Sequence, residues 1–185
     1  MTNYPLTIEN KFGEKLIFKG VEKTPQGERL LVENFVAPGC GPIMHTHYLQ
    51  DECLTVVSGK LGYQIMGEEE KFAGPGESVL FHKGTPHRFW SAGEETLHCT
   101  GWVSPPNTLP FFLKSLYAAM DKGKDGRPEN FDSAYLMTRY KSEYDIPEIP
   151  GFVKKVIIPI TYHIGNLLGK YKHFKGAPEP VRQVA

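Results

Sequence analysis

Between Gly39 and Gly59 the chain places His45, His47 and Glu52, three side chains able to ligate a metal, within twenty-one residues. His45 and His47 are separated by one residue. On a strand, where successive side chains alternate faces, the two imidazoles point the same way; on a helix they would diverge by about 200°. A site shared by both therefore requires β structure. Glu52 follows the polar stretch Tyr48-Leu49-Gln50-Asp51, and a hairpin is expected there, with the second strand returning the carboxylate to the imidazoles.

A second segment runs through Gly74-Pro75-Gly76-Glu77, the strand-like Ser78-Val79-Leu80-Phe81, the turn His82-Lys83-Gly84-Thr85-Pro86, and His87. His87 is the expected fourth ligand. Together the two segments resemble the paired motifs of the cupin superfamily. The first, G-x₅-H-x-H-x₃₋₄-E-x₆-G, is met by Gly39, His45, His47, Glu52 and Gly59. The second, G-x₅-P-x-G-x₂-H-x₃-N, is met by Gly76, Gly84 and His87, with His82 in place of the usual Pro and Ser91 in place of Asn. Losing that Pro loosens the turn before His87 and adds an imidazole near the mouth of the site. The resemblance covers about residues 30–103. It implies an all-β double-stranded β-helix, or jelly-roll, barrel with the ion inside, and a homodimer.

The strand pattern agrees with this. Residues 16–21, 30–36, 43–47, 54–58, 61–66, 78–81, 88–91 and 96–103 are short runs rich in β-branched and aromatic residues, punctuated by Gly, Pro or charged pairs. Thr24-Pro25-Gln26-Gly27 and Met66-Gly67-Glu68-Glu69 read as hairpin tips. Beyond Pro105-Pro106 the pattern changes to two or three helices after residue 108. The first covers Leu109–Met120 with Pro110 in its first turn, a loop spans 121–127, and the second helix covers about 130–140. The expected organisation is a barrel over 1–105 and a helical extension over 106–185.

Val153, Val156, Ile157, Ile160, Ile164, Leu167, Leu168 and Tyr171 recur every three or four residues, which marks an amphipathic helix with Pro159 as a candidate kink. Residues 151–185 carry a net charge of +5, leaving −5 for the first 150. Packing of this stripe on the barrel or on a second copy is the expectation, with peripheral contact to an anionic membrane as the alternative. The span is too interrupted by polar residues to cross a bilayer. An overall formal charge of zero argues against nucleic-acid binding. Three cysteines without C-x-x-C spacing, and an N-terminus without signal-peptide character, point to free thiols and the cytoplasm.

Three neutral imidazoles and one carboxylate suit one divalent ion per chain, Fe, Mn, Ni, Co or Zn, and leave coordination positions for a small-molecule substrate. The expected chemistry is that of a metal-dependent dioxygenase acting on a small enolic, phenolic or hydroxyketone compound, with Glu52 as ligand or general base. A metal-dependent isomerase or lyase, and a non-catalytic binding module, are the alternatives. By strand parity Leu54, Val56 and Phe89 share the inner face with the ligands. Tyr63, Phe81, His98 and Trp102 are further pocket candidates. Such aromatic walls favour a flat or hydrophobic ligand over a polyol, and Cys53 should face away.

Overall fold

The computed structural model describes residues 3–124 and 127–182. Eleven strands among these residues are β1 (Leu6–Asn10), β2 (Glu14–Thr24), β3 (Gly27–Val36), β4 (Thr46–His47), β5 (Asp51–Ser58), β6 (Leu61–Ile65), β7 (Lys71–Ala73), β8 (Ser78–Phe81), β9 (His87–Ser91), β10 (Leu97–Ser104) and β11 (Tyr144–Asp145). A six-stranded sheet in the order β1-β2-β3-β10-β5-β8 faces a three-stranded sheet β7-β6-β9, and β4 pairs with β11. This is the jelly roll. The hairpin tips fall where the turn residues lie: Thr24 opposes Gly27 across a two-residue loop, and β6 turns into β7 over Gly67.

Alternation along the strands decides what is buried. In β5 the residues Glu52, Leu54 and Val56 are buried while their neighbours are less so, and in β9 His87, Phe89 and Ser91 are buried. Val36, Leu54, Val56, Leu61, Val79, Phe81, Phe89, Leu97 and Cys99 form one core cluster between the sheets. The motif glycines work as turn residues: Gly39 and Gly59 take φ of 73° and 82°, and a Cβ on Gly59 would press on the Leu97 backbone.

The expected hairpin between the first two ligand strands is not formed. β4 and β5 are consecutive but lie in different sheets, and His45 bridges to His87 instead. Tyr48-Leu49-Gln50 is a corner between sheets. β1 and the short edge strand β7 carried too weak a pattern to be expected.

Helix α1 (Leu109–Lys122) has Pro110 in its first turn, as expected, and runs two residues further than the pattern suggested. Residues 125–126 of the expected 121–127 loop lie outside the described residues. Helix α2 (Asn130–Arg139) is capped by Glu129, whose side chain accepts from the Asp132 N–H at 2.8 Å. Both helices share a second core cluster with the sheet, in which Leu109, Phe112, Tyr117 and Leu136 meet Ile8, Phe18, Leu30 and Val103.

Helix α3 (Ile158–Leu167) follows a π-helical stretch, Val153–Ile157, in which Ile158 N–H donates to the Val153 carbonyl five residues back. Pro159 has no N–H and its ring crowds the preceding turn, so the helix widens just before it. Among the described residues nothing buries the aliphatic part of the expected stripe, from Ile157 to Leu168, whereas Val153, Val156 and Tyr171 are half-buried. Helix α3 packs on α2 through a different face, where buried Gly165 lies under Tyr171 and Phe131, and Tyr162 meets Tyr135. Ile157, Ile160, Ile164, Leu167 and Leu168 are exposed.

Candidate metal site and its cavity

His45 enters from the bridge to β9, His47 from β4, Glu52 from β5 and His87 from β9. Their ligand atoms all lie within 4.8 Å of one another. Glu52 Oε2 is 3.5 Å from both His47 Nε2 and His87 Nε2, and the His45 ring centroid is 4.5 Å from that of His87 and 5.0 Å from that of His47. Backbone carbonyls orient two of the rings. His45 Nδ1 is 2.8 Å from the Ile43 oxygen and His87 Nδ1 is 2.8 Å from the Thr85 oxygen. Donation there puts the proton on Nδ1 and leaves each Nε2 with a free lone pair.

The electrostatics suit a cation. Burial, and then the neighbouring His87 and His47, lower the His45 pKa to about 3. Burial also lowers His47 to about 4, against the opposing pull of Glu52. Burial pushes Glu52 up, but the close approach of His87, 3.5 Å away, and the adjacent imidazoles outweigh it and bring the carboxyl to about 2. At neutral pH the site thus presents the neutral imidazoles of His45 and His47 beside a carboxylate, the protonation state that ligation needs. His87 Nε2 is a buried atom with no hydrogen-bond partner. Such an orphan costs free energy unless something fills the gap, and one divalent ion fits both the gap and the donor set.

The site opens onto a cavity of about 230 Å³ between the barrel and the helices. His45, His47 and Glu52 line one part, and Leu16, Phe18, Leu54, Phe89, Phe112 and Leu116 line much of the rest. Of the expected pocket residues, Leu54 and Phe89 are in place and five are not. Phe81 lies behind the site, stacked on His87 at 4.0 Å. Val56 and Tyr63 belong to the inter-sheet core and do not reach the cavity. His98 and Trp102 point to the other side of β10, whose inward positions are Leu97, Cys99 and Val103. There His98 meets Glu33 at 2.9 Å and Trp102 lies under the Arg29 guanidinium at 4.3 Å. His82 is exposed beside Asp51 and is outside the ligand cluster. All three cysteines are free, and burial pushes the Cys99 thiol up to about 12, which leaves it unreactive at neutral pH.

The helical extension supplies part of the wall that sequence reasoning missed. In β11, Tyr144 pairs with His47 and Asp145 with Thr46, and the Tyr144 ring meets His47 edge-on at 5.6 Å. The Tyr144 hydroxyl accepts from Gln50 Nε2 at 3.0 Å. Behind it the fully buried Glu143 accepts from Thr108 Oγ1 and Val181 N–H, each at 2.9 Å. A two-residue strand has no periodicity to detect. The available cue was Ile146-Pro147, since a residue before proline favours extended backbone.

Residues 35–103 match the family described as the cupin domain. These residues are a cupin domain. The matched segment contains His45, His47, Glu52 and His87. Among solved structures the chain is similar to KdgF from Halomonas sp. (16% identity over 52% of this chain and 85% of that one, TM-score 0.45). It is also similar to a cupin-superfamily sugar phosphate isomerase from Silicibacter pomeroyi (18%, 49% and 59%, TM-score 0.42) and to the capsular polysaccharide assembling protein CapF from Staphylococcus aureus (24%, 55% and 28%, TM-score 0.44). These scores are too low to bear on function. Comparison with curated proteins gives no match.

Proposed function

We propose that this cupin domain binds one divalent metal ion through His45, His47, Glu52 and His87 and acts as a metal-dependent dioxygenase on a small enolic, phenolic or hydroxyketone compound. The observation that carries the reading is the convergence of four candidate ligand atoms, three of them from residues that line an apolar cavity. When bound, the ion supplies Lewis acidity toward a chelating oxygen pair and, as Fe(II) or Mn(II), redox reactivity toward O₂.

The protein's own groups do the rest. The Ile43 and Thr85 carbonyls hold His45 and His87 with Nε2 available. Glu52, a carboxylate at neutral pH, accepts the proton of a substrate hydroxyl, and the neighbouring imidazoles hold the resulting charge pattern in place. Leu54, Phe89 and Phe112 exclude water from the reacting oxygens. An apolar cavity of about 150 Å³ is enough for benzene, so about 230 Å³ suits one ring with short substituents and is small for a three-ring flavonol.

Oxygen uptake by Fe(II)- or Mn(II)-loaded protein, measured across single-ring catechols, diketones, hydroxyketones and flavonols, tests the reading. Uptake with a single-ring or hydroxyketone substrate is expected, abolished in Glu52→Gln. Turnover of a hydroxyketone by the Zn(II) form without oxygen consumption would replace it with an isomerase or lyase. Ligand retention with no turnover under any metal would leave a binding module.

A further inference from the structure

Six large apolar side chains on the surface belong to one short segment. Phe152, Ile157, Ile160, Ile164, Leu167 and Leu168 are each 45% to 86% exposed. From Ile157 onward they recur at three- and four-residue steps and so share a side of the helix. Phe152 is five residues before Ile157, in step with the i to i+5 bonding of the π-helical stretch. The opposite side is committed: Gly165 is buried under Tyr171 and Phe131, and Tyr162 stacks near Tyr171 with ring centroids 5.4 Å apart. Rolling the helix to bury the aliphatic side would break that packing.

Charge distinguishes the possible occupants of this face. Lys155, Lys170, Lys172 and Lys175 are exposed, while Lys154 pairs with Asp145 at 2.7 Å and Glu179 is taken by Arg139. Residues 151–185 therefore present an apolar face accompanied by lysines, with a net +5. A second copy seated symmetrically on this face would bring two such basic tails together. An anionic lipid surface receives both the aliphatic side chains and the lysines favourably. No helix among the described residues is long and apolar enough to cross a membrane.

We propose that the segment from Phe152 to Lys175 docks this protein on an anionic membrane surface, with helix α3 lying in the plane of the interface. The Lys154–Asp145 pair ties the start of this segment to the cavity wall, because Asp145 also lines the cavity.

Flotation of the full chain with vesicles of phosphatidylcholine, with and without phosphatidylserine, tests the docking. Binding is expected to the phosphatidylserine vesicles and to weaken as salt is raised. The double change Leu167→Asp and Leu168→Asp should lower the partition coefficient at least about tenfold, with circular dichroism unchanged because both side chains are already exposed. Lys155→Glu with Lys170→Glu should lower it at least about fivefold per residue. Failure of the wild-type chain to float with phosphatidylserine vesicles would overturn the proposal, as would binding indifferent to the leucine changes. A dimer that the leucine changes convert to monomer, with no vesicle binding, would assign the face to a second copy.

Discussion

Strand β5 and helix α3 both announce themselves by an apolar rhythm, yet the structure treats them in opposite ways. In β5 the residues at alternate positions are sealed in: Leu54 and Val56 are each 1% exposed, and Glu52 between the imidazoles is buried with them. In α3 the residues at three- and four-residue spacing face outward, and the helix is held by an aromatic seam on another side. A periodic pattern therefore identifies a face and leaves its partner open. For β5 the partner is the rest of the barrel, which the surrounding strands and turn glycines already specify. For α3 nothing among the described residues covers the face.

The difference can be pressed from both sides. The largest expected effect is at the ligand cluster: His87→Ala should weaken divalent-ion binding beyond the roughly 10- to 100-fold that follows loss of an outer-shell partner, while circular dichroism still reports a folded barrel. Unchanged affinity by metal titration would remove His87 from the site. Next, Leu54→Ala deletes a side chain that is 1% exposed and should cost about 2–5 kcal/mol in denaturant unfolding. A loss below about 1 kcal/mol would mean that β5 is less tightly enclosed than its burial indicates.

Acid should act on the same region. His45 and His47 titrate at about 3 and 4 in the fold against an ordinary 6.5, and Glu52 at about 2 against 4.5. In each case the unfolded chain takes up its proton first, so stability falls as pH falls. The histidine contribution is fully present above pH 6.5 and is lost progressively toward pH 4 and 3, and the Glu52 contribution is lost from pH 4.5 toward 2. Thermal unfolding of metal-free protein from pH 7 to pH 4 should show a falling midpoint, with a shallower fall in His45→Gln. A midpoint independent of pH would contradict the buried, neutral state of these rings. The smallest effect is reserved for the helix: Ile160→Asp, at a position 52% exposed, should change unfolding stability by no more than about 0.5 kcal/mol. A loss of several kcal/mol would show that the face is covered in solution.

Much of the barrel could be read directly from the chain. Ser78–Phe81 was delimited to the residue, and most other strands of the motif region to within about three, because Gly59, Gly67 and Gly84 punctuate runs whose two-residue period is strong. The clustering of His45, His47, Glu52 and His87 was legible for a related reason: fixed spacings around turn glycines bring the four candidate ligands together. What could not be read depended on long-range pairing. The alliance of His45 with His87 and of β4 with β11 joins residues far apart in sequence, and the local cue beside β11, Ile146-Pro147, does not name its partner. The facing of His98 and Trp102 had no local signal: it is set by how β10 pairs with β5, where Trp102 lies opposite the outward Cys53 and the register shifts between His98 and Cys99. The cavity wall drew on Leu113, Leu116, Met120 and Met137, whose helical spacing marks an apolar face without saying that the face encloses a void.

The most direct test is a titration of Co(II) into metal-free protein, followed by visible absorption and by equilibrium dialysis. One equivalent should bind, with the ligand-field bands of a nitrogen and oxygen donor set, and the signal should be lost in His87→Ala. Protein that retains no divalent ion, or that binds Co(II) equally well without His87, would contradict the assignment of His45, His47, Glu52 and His87 to a single metal centre.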